Sequence, residues 1–268
     1  MNKDSPARAL RAVLIVAVVC SLLVSSAVML LRPIQLENRL LERARNVLQL
    51  TGVSADDLPD EDEMLDRYRA LDIRIVDLED GSFEPDIDPA TFDARAAAND
   101  PELNVAIPPE QDQADLGRRS RYARIFLVWR QGELQRVILP VHGSGMWSTI
   151  YGYLALEPDL NTIADVTFYE QNETPGLGDQ ITRSAWLQQW QGRQLFDQRG
   201  QFRFAAGPGK IEAGTEAAQY RVDALTGATV SANAVVALLR YWMGPHGYGP
   251  LLERLRNQPS TPPGGEER

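Results

Sequence analysis

The apolar positions of the chain change rhythm three times. Residues 12–31 carry no charge and lie between Arg11 and Arg32. As a helix they span ~30 Å, about the hydrocarbon thickness of a bilayer. The apolar core of a cleaved signal peptide is shorter, about 7–15 residues, and Ser25-Ser26-Ala27 is a poor cleavage site with more apolar residues behind it. The run predicts an uncleaved transmembrane anchor. Residues 33–53 continue as an amphipathic helix ending near Gly52, with Ile34, Leu36, Leu40, Leu41, Val47, Leu48 and Leu50 set among charges. Residues 55–65 are acidic and read as a solvated face or loop.

Residues 71–78 alternate as a strand does. Residues 79–117 are rich in Asp, Glu, Pro and Ala and poor in large apolar side chains. They read as a variable, partly ordered excursion. From Tyr122 onward the third rhythm sets in. Apolar runs at 122–130 and 134–140, around Gln131-Gly132-Glu133, predict a β-hairpin. Strands follow at 147–156 and 162–169. A helix is expected over 181–190, with Trp186 and Trp190 one turn apart and serving as core. Further strands are expected at 201–204 and 219–222, a turn at 207–210 and a helix at 234–242; residues 259–268 read as a disordered tail. The fold class is α+β: one N-terminal transmembrane helix, then a mainly antiparallel sheet flanked by helices.

Composition narrows the chemistry. A net charge of −10 argues against nucleic acid as a partner. The one cysteine, Cys20, lies inside the apolar run, and the two histidines are His142 and His246. That inventory excludes an intramolecular disulfide and a thiolate metal cluster, and it disfavours a histidine metal site. A redox role therefore needs an organic cofactor. Lys3, Arg8 and Arg11 precede the apolar run, while Arg32, Arg39, Arg43 and Arg45 follow it, so charge alone does not orient the anchor.

The stretch from Asp223 to Ser231 (Asp-Ala-Leu-Thr-Gly-Ala-Thr-Val-Ser) sits between a strand-like run and a helix-like run. Two readings stand. Thr and Ser are ordinary helix caps. Equally, the start of a helix presents unpartnered N–H groups and the positive end of the helix dipole, a setting that suits phosphate. Gly227 and Ala228 allow close approach, and Thr226, Thr229 and Ser231 bring hydroxyls. The loop Glu170–Gly178 contains Pro175, Gly176 and Gly178. It is either a plain turn or a low-bulk loop whose backbone and Thr174 hydroxyl close over a flat ligand. Ser144 sits in a Gly-x-Gly turn without the Gly-x-Ser-x-Gly elbow of hydrolases.

Asp223-Ala224-Leu225-Thr226-Gly227-Ala228-Thr229 resembles the Asp-x-x-(Ser/Thr)-Gly-Ala-Thr flavinylation motif of FMN-binding subunits in bacterial respiratory complexes. Gly143-Ser144-Gly145-Met146-Trp147-Ser148, Tyr151-Gly152-Tyr153, Tyr169-Glu170 and Glu173-Thr174-Pro175-Gly176-Leu177-Gly178 precede it in the family's order. Together with the anchor, these stretches resemble the C-subunit of the Na+-translocating NADH:quinone reductases, most strongly over residues 122–243. The core motifs are shared with the G-subunit of the Rnf complex, which stands as an alternative. A non-redox membrane-anchored binding domain is the alternative of another class.

The resemblance implies FMN esterified through its phosphate to Thr229. It further implies a periplasmic domain on a single-pass anchor in the bacterial inner membrane, with residues 1–11 as a cytoplasmic tail. The anchor is 12–31, the amphipathic and acidic region 32–121, the FMN-binding domain 122–258 and the tail 259–268. The implied partners are the other subunits of the complex (A, B, D, E and F), with an FAD-dependent, Mg2+-requiring flavin transferase for maturation. The implied role is relay of electrons within a complex that oxidises NADH, reduces ubiquinone and exports Na+, with no catalysis by the chain alone. Glu173, Thr174, Leu177 and Gly178 match the loop that lines the flavin, and Thr226, Gly227 and Ala228 lie in the attachment motif. Lys210 is a candidate to stabilise negative charge on the ring. Trp147 lies either near the ring or in the core. Asp223 serves the attaching enzyme or orients the turn. No metal site is expected.

Overall fold

The structure is a computed structural model that describes residues 6–53, 59–207, 214–258 and 262. It divides into two compact units, Met1–Arg45 and Asn46–Arg268. The first consists of most of helix α1, Pro6–Leu50. Within it Ala9–Arg32 is apolar and long enough to cross a membrane, and none of that stretch is buried. This fits a membrane anchor.

The second unit holds β1 (Asp72–Asp77), β4 (Tyr122–Arg130), β5 (Glu133–Ser144), β6 (Thr149–Leu156) and β7 (Ile163–Glu170) in one antiparallel sheet, ordered β1-β4-β5-β6-β7. A smaller antiparallel pair joins β2 (Asn104–Ala106) to β3 (Arg118–Ser120), and a short parallel pair joins β8 (Ala205–Gly207) to β9 (Arg221–Asp223). The helices are α2 (Glu61–Arg69), α3 (Ala94–Asn99), α4 (Ser184–Leu187), α5 (Ala217–Tyr220), α6 (Thr229–Trp242) and α7 (Gly249–Asn257).

The predicted hairpin forms as β4 and β5. Its two-residue turn, Gln131-Gly132, has φ of 54° and 82°, the left-handed pair that matches the twist of the flanking strands. Alternation along the strands gives the sheet two apolar faces. On one, Leu127, Leu139, Val141, Leu154 and Phe168 join the main core with Val235, Leu238 and Leu239 of α6 and Leu251 and Leu252 of α7. On the other, Phe126 meets Tyr153 edge-on at 6.0 Å and Tyr68 of α2 at 5.9 Å. The end of α1 stops at Leu50, whose carbonyl accepts from Arg136 Nη1 at 2.6 Å; Gly52 turns the chain with φ of 95°.

Four expectations need correction. The excursion 79–117 is ordered, with α3, β2, β3 and a 3-10 turn at Pro109–Gln111. Several of its aspartates bond backbone amides. Asp93 accepts from Arg95 N and Ala96 N, and Asp112 from Leu116 N and Gly117 N. The expected helix 181–190 is broken into 3-10 turns at Gly178–Thr182 and Gln188–Trp190 around the one-turn α4. Its tryptophans are core, at 5.1 Å from each other. The strand expected at 201–204 forms instead at Ala205–Gly207, and that expected at 219–222 shifts to Arg221–Asp223, after α5. The expected tail 259–268 lies outside the described residues, apart from position 262, and so does the part of the turn at 207–210 beyond Gly207.

β4 and β5 part company partway along. β4 pairs with β1 from Tyr122 to Leu127, but with β5 only from Phe126 onward, so β5 has no β4 partner beyond Ile138. Side chains from the C-terminal helical layer fill the opening. Trp242 Nε1 donates to His142 O at 2.6 Å and Tyr248 Oη to Pro140 O at 2.8 Å. Ser144 N donates to Ala114 O of the excursion at 2.7 Å. Losing one partner from a buried carbonyl costs about 1–3 kcal/mol. Tyr248→Phe is expected to destabilise the detergent-solubilised chain by about that amount, read as a lowered urea midpoint with an unchanged slope.

His142 itself stacks on Tyr151 at 5.4 Å and tilts against Trp242 at 4.8 Å. Burial, and secondarily the Arg95 cation, lower its pKa to about 4. An unfolded histidine titrates near pH ~6.5. Below that value the unfolded chain takes up a proton that the folded chain refuses. The stability contributed by neutral His142 is thus lost as pH falls from about 6.5 to about 4. His142→Gln is expected to flatten the stability–pH curve across this window by on the order of 2–3 kcal/mol, checked by urea titrations of both chains at pH 7, 5.5 and 4.

Candidate functional site

Three segments meet at one end of the sheet. The first is the β5–β6 turn, Gly145–Ser148. The second is the loop leaving β7, Gln171–Gly178. The third is the turn from β9 into α6, Ala224–Ala228. Each emerges from an element fixed by the core, so the sheet and α6 determine where the loops converge.

The third segment begins where Asp223 is held by its backbone. Its N–H donates to Gln189 Oε1 at 3.0 Å and its carbonyl accepts from Trp186 Nε1 at 2.9 Å. Gly227 then takes φ of 79°. A side chain here would also meet Leu177, whose Cδ2 lies 2.9 Å from the place a Cβ would occupy. Ala228 occupies the N-cap position of α6, with no side-chain cap bond. The capping reading of the Thr-Gly-Ala-Thr turn therefore fails: Thr229 is the first residue of the helix, exposed, and among the described residues no side chain accepts from the first-turn amides. Thr226 is also exposed; its carbonyl accepts from Gln180 Nε2 at 3.2 Å, which at the same distance donates to Gly176 O. Sequence reasoning missed Gln180, because a polar residue between an expected loop and an expected helix carries no signal for a loop-to-loop bridge.

The second segment is turned inward at one residue and outward at the next ones. Glu173 is 4% exposed. Its Oε1 accepts from Met146 N at 2.9 Å and Trp147 N at 3.1 Å, and its Oε2 accepts from the Ser231 hydroxyl. The carboxylate of Glu173 is committed to three protein donors, and the hydroxyl of Ser231 is committed to that carboxylate. Thr174 Oγ1 accepts from Trp147 Nε1 at 3.0 Å. Gly178 is buried, packed against Ser231 and Glu173.

Around Thr229 the surface is apolar to an unusual degree for exposed positions. Met146 is 54% exposed, Trp147 67%, Leu177 48% and Val230 57%. Beyond α1, Leu103 is the other exposed large hydrophobic among the described residues. Trp147 thus belongs to the rim and not to the core. The convergence brings together Trp147, Glu173, Thr174, Leu177, Gly178, Thr226, Gly227, Ala228 and Thr229, with Asp223 just beneath. Lys210 lies outside the described residues. Chemically the site joins an exposed hydroxyl, unpartnered amide donors and a flat apolar rim. That combination suits a ligand with a phosphate at one end and an aromatic body at the other.

Comparisons with known proteins converge on one family. The FMN-binding domain family matches residues 145–244, which contain all three segments. The Na(+)-translocating NADH-quinone reductase C-subunit of Pseudomonas aeruginosa is 38% identical over 255 residues, 95% of this chain and 98% of that one. Its counterpart in Neisseria meningitidis serogroup A is 38% identical over 257 residues, 96% of each chain. Among solved structures, Shewanella oneidensis NqrC aligns with a TM-score of 0.75 at 35% identity, covering 83% of this chain and 98% of that chain. The C-subunit of Parabacteroides distasonis aligns with a TM-score of 0.61 at 25% identity, covering 83% and 96%. Near full-length identity and a shared fold lead to one conclusion: this chain belongs to the C-subunit family of the Na+-translocating NADH-quinone reductases.

Proposed function

We propose that the chain is the membrane-anchored, FMN-carrying subunit of a Na+-translocating NADH:quinone reductase. Its FMN is joined through the phosphate to the Thr229 hydroxyl. The observation that carries this reading is the exposed Thr229 at the uncapped start of α6, beside an apolar rim. The names of its relatives favour this complex over the Rnf one.

The residues fit the group. Thr229 Oγ1 would hold the FMN phosphate as an ester; with FAD as donor, its hydroxyl proton would go to solvent and AMP would leave. The resulting phosphodiester keeps one negative charge. The amides of the first turn of α6 and the helix dipole stabilise it by about 0.3–1 kcal/mol. Trp147, Leu177, Met146 and Val230 offer apolar surface to an aromatic ring system and exclude water from one side of it. Thr174 fixes Trp147 through its indole N–H. When bound, FMN supplies one- and two-electron transfer that the chain's own side chains cannot. The covalent link retains a loosely covered group in a compartment that does not resupply it.

In this reading α1 is a single-pass anchor in the bacterial inner membrane, with residues 1–11 cytoplasmic, and the second unit is periplasmic. The chain relays electrons within the complex it forms with the A, B, D, E and F subunits, from NADH oxidation towards ubiquinone reduction, coupled to Na+ export. A Mg2+-requiring, FAD-dependent transferase matures it. Asp223 serves that transferase through the turn it anchors.

The test is intact-mass measurement of the full-length chain co-produced with such a transferase. Ester formation at one hydroxyl adds FMN less water, about 438 Da. Thr229→Ala is expected to lose that mass and keep its fold, and Thr226→Ala to retain it. Loss of the added mass in the Thr226 variant alone overturns the attachment site.

A further inference from the structure

The structure assigns to Glu173 a task no flavin contact requires: it is the positioning residue that holds the three site segments together before any cofactor arrives. Each of its carboxylate oxygens is used. Oε1 takes two successive amides of the β5–β6 turn, Met146 N and Trp147 N, at 2.9 and 3.1 Å. Oε2 takes the Ser231 hydroxyl, in the first turn of α6. The residue itself begins the loop that carries Thr174 and Leu177. One buried side chain therefore ties the first two segments to the first turn of α6, into which the third segment runs, and among the described residues no ion pair reaches it. A buried carboxylate without a cation is costly unless donors satisfy it. Here the donors are the elements it positions.

Two glycines make the arrangement possible, and neither has the positive φ that usually explains a glycine. A Cβ at Gly145 would lie 2.5 Å from Glu173 Oε1. A Cβ at Gly178 would lie 2.7 Å from Ser231 Oγ and 2.9 Å from Glu173 Cβ. Both are bare because the carboxylate and its serine partner occupy the space. The exposed bond from Trp147 Nε1 to Thr174 Oγ1, at 3.0 Å, closes the same two segments from outside. Glu173 thus fixes the backbone of Trp147 directly, and its own place in the loop ties Thr174 and Leu177 to the same point.

The consequence for maturation rests on the flavin-carrying reading above, whereas the consequence for the unmodified chain does not. The experiment has an arm for each and uses the full-length chain in detergent. Amide hydrogen exchange at Met146 and Trp147 is followed in the flavin-free chain, and the rate of mass gain is followed with the transferase and FAD. Glu173→Ala is expected to speed exchange at both amides about tenfold or more and to slow attachment about tenfold, the scale of one to two lost hydrogen bonds. Glu173→Gln is expected to stay within about threefold of the parent in both, because its amide oxygen accepts from the two N–H groups and its amide nitrogen donates to Ser231. A folded Glu173→Ala chain with parental exchange overturns the assignment, and so does a glutamine variant as impaired as the alanine one. Should Glu173→Ala fail to fold, Ser231→Ala decides together with the glutamine variant. It is expected to slow attachment several-fold while Met146 and Trp147 stay protected; parental attachment overturns the clamp. A parent chain that gains no mass overturns the proposed function instead, and the exchange arm still judges Glu173.

Discussion

The closeness of α6 to β5 governs the rest of the molecule. A Cβ at Gly143 would lie 2.6 Å from Leu238 Cβ, so the helix rests on the strand at a distance only glycine permits. Farther along, Trp242 and Tyr248 take the carbonyls that β5 exposes after parting from β4. The helix is thereby fixed along its length and in rotation. Its first turn then stands opposite the loops leaving β5 and β7, and everything chemical about Thr229 follows from that placement.

The ordered excursion between β1 and β4 reinforces the same end of the sheet from the side. Arg95 of α3 pairs with Glu170 at the last residue of β7, at 2.6 Å, and lies 3.6 Å over the ring of Tyr151. Ala114 receives the amide of Ser144 at the last residue of β5. Both strands that feed the site are therefore held where they end. The ion pair is half exposed and adds little by itself. The stacking and the backbone bond give the contact its geometry.

Much of this was legible in the sequence, and the failures have physical causes. The sheet was readable because short continuous apolar runs such as Tyr122–Arg130 suit strands covered on both faces, and Gln131-Gly132 is a turn by its chemistry. The Thr-Gly-Ala-Thr turn stood out as a motif. The excursion was misjudged because its order comes from carboxylates bonding backbone amides, and composition counts those carboxylates only as charge. The helix expected over 181–190 was misjudged because Ile181, Trp186 and Trp190 are drawn to one core from three short turns, with Arg183 extended between the first two. Glu173 was assigned to the flavin-lining loop by family resemblance; the three protein donors that hold its carboxylate come from distant segments and carry no signal in the sequence.

The alanine at the N-cap of α6 has an energetic consequence. Ser, Thr, Asp or Asn there would add about 1 kcal/mol to the fold, but Ala228 is buried and makes no side-chain cap bond. With the proposed phosphate ester at Thr229, the anion would recover what the alanine forgoes. A subunit carrying its flavin would then be more cohesive than one without it.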